Sequence, residues 1–274
     1  MNTNNQSLLK SNEKKGFFML NLERQEEILE ILNKNKSATV EELAQELFVS
    51  GATIRRDLRT MEAKGLLKRS HGGAISFRSS AEESAFAIRE QENVLAKKII
   101  AGLAINLVEN GNSIFMDSSS TTGYIIPLLN NRKYLTVTTI GLRNALLLSQ
   151  TNNVKIYIAG GQIQNHSNSI TGSDTIDYIS RIHADLAIIS CAGLDVNAGF
   201  TDADIEQSKL KKQMKNNSKK LVMLCDSTKF GKTFMCGDLS FNDVDYLITD
   251  KMPDKEYLKA IENSNCKLIC PELD

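Results

Sequence analysis

The sequence predicts a small winged helix-turn-helix domain followed by a larger α/β domain with a parallel sheet. Residues 19–76 combine three short helical patterns with a glycine turn between two strand-like segments. Beyond residue 90, helical stretches alternate with short apolar strands, which is typical of a parallel sheet covered on both faces. The length of 274 residues exceeds that of an average domain. We therefore place the domains at 19–76 and 91–274, joined by a linker over 77–90 that runs into a connecting helix around residues 86–92.

The charge is balanced over the whole chain but not along it. Lys plus Arg and Asp plus Glu number 33 each, and the chain is 41% hydrophobic, as in an ordinary globular protein. Residues 50–78, however, contain seven Lys or Arg against two Asp or Glu. This excess predicts a basic surface within the N-terminal domain.

Membrane, metal and cofactor classes are disfavoured by the sequence. The longest apolar runs fall well short of the ~20 residues that span a bilayer, and residues 1–18 lack the apolar stretch of a signal peptide. The five cysteines form no C-x-x-C pair and have no neighbouring His at zinc-ligand spacing. We expect a cytoplasmic protein with reduced, mostly buried thiols, no metal, no cofactor and no membrane partner.

The first residues allow two interpretations. Residues 1–18 are rich in Asn, Lys and Ser and lack periodicity, whereas the regular pattern begins just after Met19. Met19 is a candidate for the true start, because Lys15 and Gly16 require purine-rich codons where a bacterial ribosome-binding site would stand. The alternative is a short disordered tail.

Three helices are predicted in the N-terminal domain. The first covers residues 23–33, and the second follows Thr39, which has capping-box spacing with Glu42. Ser50 is expected to cap the third helix, which ends at Gly65. The buried stripe of the third helix is predicted to comprise Ile54, Leu58 and Met61.

The outward face of the third helix has the chemistry of a DNA-reading element. Thr53, Arg55, Arg56 and Arg59 face away from the apolar stripe, and guanidinium groups bond bidentately to guanine O6 and N7. The second predicted helix, a tight turn and the third predicted helix match the geometry that places a recognition helix, here the third, in the major groove. The alternative is a solvated helical bundle whose arginines merely face water.

A wing is predicted after the third helix. Residues 66–75 suggest a strand, a glycine turn and a second strand, with Lys68, Arg69 and His71 at the tip. The side chains of Lys68 and Arg69 are suited to binding DNA phosphates, and so are the backbone N–H groups of Gly72 and Gly73. The whole pattern favours double-stranded DNA as a partner over a structural role.

The larger domain carries polar loops at the predicted carboxyl ends of its strands. The predicted strands are residues 113–117, 135–139, 154–159, 186–191, 221–226, 246–249 and 267–270. Open α/β sheets bind ligands at those ends. The loop from Asp117 to Gly123, here called the hydroxyl loop, offers hydroxyls and N–H groups to an anion such as phosphate, although such a loop is often only a helix cap.

Three further features complete this candidate site. Gly160 and Gly161 allow close backbone approach, as does a compact turn at Gly193 and residues 199–202, although both stretches are also consistent with ordinary tight turns. Glu206 and Lys209 lie three residues apart on a predicted helix, and Lys229 follows a strand. Surface ion pairs are the alternative interpretation for these charges.

Both domains resemble the DeoR-type bacterial transcriptional regulators. In the N-terminal domain the resemblance is carried by Val49-Ser50-x-x-Thr53-Ile54-Arg55-Arg56-Asp57-Leu58 and Arg69-x-His71-Gly72-Gly73-Ala74. In the larger domain it is carried by Ile114-Phe115-Met116-Asp117, Thr121-Thr122, Gly160-Gly161, the stretch from Gly199 to Met214, and Asp226-Ser227-Thr228-Lys229-Phe230-Gly231.

The resemblance implies a sensor domain with the ribose-phosphate-isomerase-like fold and a phosphorylated sugar as effector. It implies that the DNA-binding residues are Ser50, Thr53, Arg55, Arg56, Lys68, Arg69, His71 and Gly72. It implies that the effector-binding residues are Asp117, Ser118, Ser119, Ser120, Thr121, Thr122, Gly160, Gly161, Glu206, Lys209 and Lys229. We expect repression of a sugar or sugar-derivative catabolic operon that the effector relieves, by a homo-oligomer.

Two other functions are compatible with parts of the sequence. An isomerase-like enzyme with an accessory DNA-binding module would use Asp117, Glu206 and Lys209 as acid and base groups. The N-terminal module argues against it, and we expect no catalysis. The other alternative is an activator or a nucleic-acid scaffold that senses nothing, which the hydroxyl loop and Lys229 disfavour.

Overall fold

The fold is described from a computed structural model over residues 21–35, 37–63, 66–70, 72–75 and 86–271. The chain separates into two compact units, residues 1–79 and 80–274. Four sequence predictions fall outside the described residues: the start at Met19, the helix end at Gly65, the side chain of His71, and the linker over 77–85.

The first unit consists of three helices and a small antiparallel sheet. Its elements in chain order are α1 Asn21–Asn35, β1 Ser37–Thr39, α2 Val40–Glu46, α3 Gly51–Ala63, β2 Lys68–Ser70 and β3 Gly73–Ile75. The strand order is β1-β3-β2, so the two predicted wing strands pair as expected. Strand β1 was missed, because a three-residue strand has no periodicity of its own and forms only by pairing with β3.

The three helices of this unit bury one apolar core. The predicted stripe of Ile54, Leu58 and Met61 is buried, together with apolar residues of α1 and α2. Asp57 on α3 is also buried, and its carboxylate lies 2.6 Å from the Arg24 Nε of α1. A buried carboxylate is tolerated only when it is paired, so this ion pair fixes the packing of α3 on α1.

The second unit is a three-layered α/β structure. Its elements in chain order are α4 Phe86–Gln91, α5 Val94–Ala104, β4 Ser113–Met116, α6 Ser120–Gly123, β5 Leu135–Thr139, α7 Leu142–Leu148, β6 Val154–Ile158, β7 Gln162–Gln164, β8 Ser169–Thr171, α8 Ser173–Ser180, β9 Ala184–Ser190, β10 Gly193–Asp195, β11 Gly199–Asp202, α9 Ile205–Asn216, β12 Ser218–Leu224, β13 Cys236–Leu239, β14 Tyr246–Ile248, α10 Lys255–Glu262 and β15 Lys267–Ile269. Short 3-10 turns connect several of these elements.

Seven strands form one parallel sheet in the order β15-β14-β12-β9-β4-β5-β6. All seven are the predicted ones, and none ends more than two residues from its predicted end. Successive residues of each central strand enter opposite apolar layers: Phe115 belongs to one core, whereas Ile114 and Met116 belong to the other. Burial on both faces explains why the strands read as continuous apolar runs.

The structure differs from the sequence prediction at the linker and in two small sheets. The connecting helix that the sequence predicts at the end of the linker is α4, but it belongs to the second unit: Phe86 is buried, and its N–H donates to the His166 carbonyl at 2.8 Å. The segments predicted as turns near Gly161 and Gly199 contain the antiparallel sheets β7-β8 and β10-β11-β13. Gly199 has φ 71°, and an added Cβ would lie 2.5 Å from the Leu239 carbonyl oxygen, so the close approach of β13 requires glycine here.

Candidate functional site

The N-terminal end of α3 is organised by two hydroxyl side chains. The Ser50 Oγ accepts a hydrogen bond from the Thr53 N–H at 3.1 Å and lies 2.9 Å from the Thr53 Oγ1. Ser50 is therefore the helix cap that the sequence predicts. Before it, Thr39 and Glu42 form the predicted capping box at the start of α2.

The exposed face of α3 carries the predicted arginines. Arg55, Arg56 and Arg59 are exposed, whereas Ile54, Asp57 and Leu58 point into the core. The Arg55 guanidinium lies 3.8 Å from the Glu41 carboxylate, with both side chains more than half exposed. An exposed pair of this kind contributes little free energy, so it does not prevent Arg55 from contacting another anion.

The wing is tied to α3 through Glu62. The Glu62 carboxylate accepts from the Arg69 N–H at 3.0 Å and lies 3.9 Å from the Arg69 guanidinium, which orients β2. Lys68 and Arg69 are both exposed. Gly72 has φ 85°, and its carbonyl accepts from the Val40 N–H at 2.8 Å. The predicted basic strand and glycine turn therefore lie beside the start of α2.

Gly73 permits the wing to pack against β1. A Cβ at this position would lie 2.2 Å from the Ala38 carbonyl oxygen and 2.8 Å from the Thr39 Cα. A larger residue would therefore separate β3 from β1, and with it the wing from the helices. The second glycine of the predicted turn thus has a packing function.

The hydroxyl loop is a closed hydrogen-bond network around Asp117, the residue that follows β4. One Asp117 carboxylate oxygen accepts from the Ser119 N–H, the Ser119 Oγ and the Thr122 Oγ1, at 2.6–3.0 Å. The other accepts from the Ser190 N–H of β9 at 2.9 Å and lies 3.8 Å from the Lys211 Nζ. Asp117 is fully buried. It therefore fixes the shape of the loop and ties it to the neighbouring strand.

Ser118 and Ser120 connect the hydroxyl loop to two helices. The Ser118 Oγ donates to the Gln207 Oε1 of α9 at 3.2 Å. The Ser120 Oγ donates to the Arg89 carbonyl of α4 and accepts from the Lys97 Nζ of α5, both at 3.1 Å. All six predicted residues of this loop are buried. The loop is thus the point at which α4, α5 and α9 meet the end of the sheet.

Two buried lysines and one half-buried lysine lie near the ends of β4, β9 and β12. Lys97 and Lys211 are almost fully buried, and the Lys229 Nζ donates to the Ser190 Oγ at 2.8 Å and lies 3.6 Å from the Asp226 carboxylate. Lys211 lies 2.5 Å from the Asp202 carboxylate. Of the three lysines, Lys229 alone was among the predicted site residues.

Lys229 influences the charge of Lys97. Burial, and then repulsion from Lys229, lowers the pKa of Lys97 to about 8, although the Asp226 carboxylate acts in the opposite direction. For Asp226, burial raises the pKa, but Lys229 and the hydrogen bonds from Thr228 outweigh it, so that its pKa is lowered. Burial and Lys229 therefore disfavour the charged form of Lys97.

Glu206 and Lys209 lie apart from this cluster. They form an ion pair of 3.0 Å on the exposed side of α9, as the alternative interpretation of the sequence had it. The buried side of α9 instead presents Gln207 to the hydroxyl loop and Lys211 to Asp117. The helical spacing of Lys211 to the buried Leu210 and Met214 is the signal that could have identified this side.

Gly160 and Gly161 have a packing role. The Gly160 carbonyl accepts from the Thr175 Oγ1 of α8 at 2.8 Å. Gly161 has φ 149°, and a Cβ there would lie 2.1 Å from the Thr175 Oγ1. These contacts are those of a tight turn held against a helix, which the sequence analysis left open as an alternative.

The described part of the chain contains neither a metal-ligand cluster nor a membrane-spanning helix. Residues 21–35, 37–63, 66–70, 72–75 and 86–271 contain no group of three or more His, Cys, Asp or Glu placed to hold a metal ion. In the same part of the chain, no helix is long and apolar enough to cross a bilayer. The five cysteines are free thiols, three of them buried, as the sequence predicted.

Comparison with known proteins matches both units. The DeoR-like helix-turn-helix domain model matches residues 24–80, and the DeoR C terminal sensor domain model matches residues 92–251. The HTH-type transcriptional regulator YulB of Bacillus subtilis is 36% identical over 93% of this chain and 98% of its own length.

Two further relatives and one solved structure show the range of similarity. The L-fucose operon activator of Haemophilus influenzae is 33% identical over 84% of this chain and 93% of its own, and the glycerol-3-phosphate regulon repressor of Escherichia coli is 28% identical over 91% and 99%. Ribose 5-phosphate isomerase A of Methanocaldococcus jannaschii matches 51% of this chain and 55% of its own, with 16% identity and a TM-score of 0.39.

The helix-turn-helix unit with its exposed arginines, together with an α/β unit matched by a sensor-domain model, defines a DNA-binding transcriptional regulator. The chain belongs to the DeoR family of such regulators, as the sequence motifs indicated.

Proposed function

We propose that this regulator represses a sugar or sugar-derivative catabolic operon in the cytoplasm and is released from its operator by a phosphorylated sugar. The observation that carries the sensing half is the cluster of Lys97 and Lys229 beside the hydroxyl loop, with the pKa of Lys97 lowered to about 8. The name of the glycerol-3-phosphate regulon repressor, a relative along nearly its whole length, supports a phosphorylated small molecule as the effector.

The DNA-reading half divides into base contacts and phosphate contacts. Arg55 and Arg56 near the start of α3 are assigned to base edges, because one guanidinium group can donate two hydrogen bonds, to O6 and N7 of the same guanine. Ser50, Thr53, Lys68, Arg69, His71 and Gly72 are assigned to positioning the protein, chiefly through phosphates. The exposure of the arginines, with the buried residues of α3 facing the core, supports this division.

The effector site is assigned to the carboxyl ends of β4, β9 and β12. Lys97 and Lys229 would neutralise the phosphate, and Ser120 would donate or accept through its hydroxyl. Asp117, Ser119 and Thr122 would hold the loop in shape, because their side chains already bond to one another. Gly160, Gly161, Glu206 and Lys209 are assigned to the surroundings of the site and not to contact with the phosphate. Their described contacts are with Thr175 and with each other.

Sensing requires the effector to bind one state of the protein more tightly than another. A ligand with equal affinity for the DNA-competent and DNA-incompetent states shifts neither. The hydroxyl loop contacts α4 through the Arg89 carbonyl, and α4 is the first described helix after the DNA-binding unit. We assign α4 as the element whose position the effector changes.

An enzymatic function is disfavoured by the same geometry. Both Asp117 carboxylate oxygens accept hydrogen bonds from the protein itself, so this group is not poised to take a proton from a substrate. Glu206 and Lys209 bond to each other on the exposed side of α9. The relatives named above are regulators, and the isomerase match is of low identity.

The deciding experiment is fluorescence anisotropy of the purified protein on the duplex upstream of its neighbouring operon and on a scrambled duplex, at controlled salt, with and without a panel of sugar phosphates. Preferential binding that one phosphate releases is expected. Tight specific binding that every phosphate leaves unchanged would refute the sensing half. A reporter strain distinguishes repression from activation, the mode named for the L-fucose relative.

A further inference from the structure

The strand β6 is an edge of the large sheet within the described residues and carries exposed apolar side chains. It is the last strand in the order β15-β14-β12-β9-β4-β5-β6 within the described part of the chain. Tyr157 and Ile158 on it are 38% and 44% exposed. Leu146 on the adjacent α7 is 62% exposed. Monomeric proteins usually protect sheet edges with charges, prolines or short strands, so this edge needs an explanation.

The opposite edge of the sheet is protected in the usual way. Strand β15 has three residues and is followed at once by Cys270 and Pro271. Strand β6 has five residues and no proline. The difference indicates that β6, and not β15, is the edge that receives a further strand.

The sequence around β6 is depleted of charge. Over residues 144–173, Lys155 is the one residue among Asp, Glu, Lys and Arg, although these types make up 24% of the chain. Exposed segments of monomers are normally rich in charge, whereas the centres of interfaces are depleted of it. The depletion covers the β6 strand, the preceding turn and the following β7-β8 hairpin.

The outward hydrogen-bonding groups of β6 can be assigned from its ladder with β5. The Ala159 N–H donates to the Thr139 carbonyl of β5. In a parallel strand, every second residue directs its backbone N–H and C=O groups toward the same neighbouring strand. Val154, Ile156 and Ile158 therefore direct their N–H and C=O groups away from β5. An antiparallel strand centred on Ile156 would bond to all three.

A second copy of the same strand is complementary in that register. Antiparallel pairing about a two-fold axis at Ile156 places Ile156 opposite Ile156, Val154 opposite Ile158, and Lys155 opposite Tyr157. The single lysine then faces an aromatic ring rather than another lysine. Within the chain, the Lys155 Nζ already lies 5.2 Å from the centroid of the Tyr157 ring, so this cation and this ring are compatible.

We propose that β6 pairs antiparallel with β6 of a second copy of this chain, about a two-fold axis at Ile156, and joins two seven-stranded sheets into one continuous sheet. The pairing satisfies the outward backbone groups and covers the apolar side chains of the edge. It also gives the regulator two DNA-binding units, which paired half-sites require. The pairing does not depend on the identity of the effector.

The test compares two substitutions at one position. Sedimentation equilibrium of the full chain in reducing buffer without DNA measures the dimer dissociation constant. Tyr157→Lys places a lysine opposite Lys155 across the axis and should raise that constant by about tenfold or more. Tyr157→Glu removes the same ring but places a carboxylate opposite Lys155, and should retain the dimer within about threefold of the wild type.

Leu95→Lys is the matched control, because Leu95 is an exposed apolar residue on α5, which packs against β12 and β14 and not on the β6 edge. It should leave the dimer unchanged. A monomeric wild type, equal effects of the two Tyr157 variants, or dissociation by Leu95→Lys would each overturn the proposal. Far-UV circular dichroism checks that every variant is folded.

Hydrogen exchange provides a measurement that needs no substitution. The Ile156 and Ile158 amides should be protected at concentrations where the protein is dimeric and should exchange faster on dilution below the dissociation constant. Rapid exchange at every concentration would overturn the strand pairing, even if another surface holds a dimer together.

Discussion

The Lys97 Nζ on α5 donates a hydrogen bond to the Ser120 Oγ of the hydroxyl loop at 3.1 Å, with both residues buried. This contact links a cation to the polar loop at the end of β4. Burial and the nearby Lys229 lower the pKa of Lys97 to about 8, so the lysine changes charge within an accessible pH range. The groups that act on it are Lys229, Asp226, Glu92 and Arg89.

The first prediction is a loss of effector affinity above pH 8. A phosphate ester is already a dianion there, because its second pKa is about 6, and it favours the protonated form of Lys97. As the pH rises from about 7 to 9 the free protein loses that proton, so the effector dissociation constant should rise by about tenfold. Isothermal titration calorimetry measures it. The curve for Lys97→Met should be weaker and flat over this range; a parallel curve would contradict the assignment.

The second prediction concerns stability without effector. The pKa of Lys97 is about 8 in the folded chain and 10.5 in the reference state, so the unfolded chain binds more protons between these values. The contribution of Lys97 to the free energy of unfolding should therefore rise as the pH increases from about 8 toward 10.5. Urea unfolding of the wild type and of Lys97→Met should show this difference. An identical pH dependence of the two unfolding free energies would contradict the predicted contribution of Lys97.

The third prediction separates the two predicted lysines of the effector site. Lys229→Ala removes the donor to Ser190 and should weaken the effector response while leaving operator affinity unchanged. Lys209→Ala is the matched control, because Lys209 pairs with Glu206 on the exposed side of α9. Anisotropy titrations with effector measure both. An unchanged effector dissociation constant in Lys229→Ala would refute the assignment of Lys229 to the effector site.

The fourth prediction concerns base recognition. Arg55→Ala should weaken operator binding by about 1–3 kcal/mol and relax the preference between operator and scrambled duplex. Lys68→Ala should weaken binding to both duplexes alike and lower the salt dependence by about one counterion. Salt titrations of anisotropy distinguish the two patterns. Unaltered selectivity in Arg55→Ala would refute its contact with base edges.

The fifth prediction concerns the structural role of Asp117. Asp117→Ala leaves the Ser119 and Ser190 N–H groups without their acceptor in a buried region, so it should lower the free energy of unfolding by about 2–4 kcal/mol. Glu206→Ala, at an exposed ion pair, should change it by less than about 0.5 kcal/mol. Denaturant unfolding measures both; equal losses would contradict the network.

Elements with a strong local signal were predicted correctly. The seven strands of the sheet are apolar runs, and the central strands β4, β5 and β9 are buried on both faces. The helix starts at Thr39 and Ser50 follow from capping residues whose bonds are made within three positions. Strand β1 and the small sheets around Gly161 and Gly199 were missed. Their strands are three or four residues long and are stabilised by distant partners, so the local sequence contains little of the signal.

Only part of the candidate site could be predicted from the sequence, for a related reason. The hydroxyl loop stands out in the sequence because several hydroxyl residues follow a strand. Lys97 and Lys211, in contrast, are lysines in amphipathic helices, where a lysine normally faces water. Glu206 and Lys209 looked equally suitable, and the rotation of α9 places them outside and Gln207 and Lys211 inside.

The sequence by itself determined the family, the two-part order of a winged helix-turn-helix before an α/β unit, and the strands that build the sheet, because periodicity, caps and motifs are local properties of the chain. The tertiary structure decided which lysines lie beside the hydroxyl loop and which strands form the two edges of the sheet. Those features depend on how helices rotate against the sheet and on which strand lies last in it, and both are set by contacts between residues far apart in the chain.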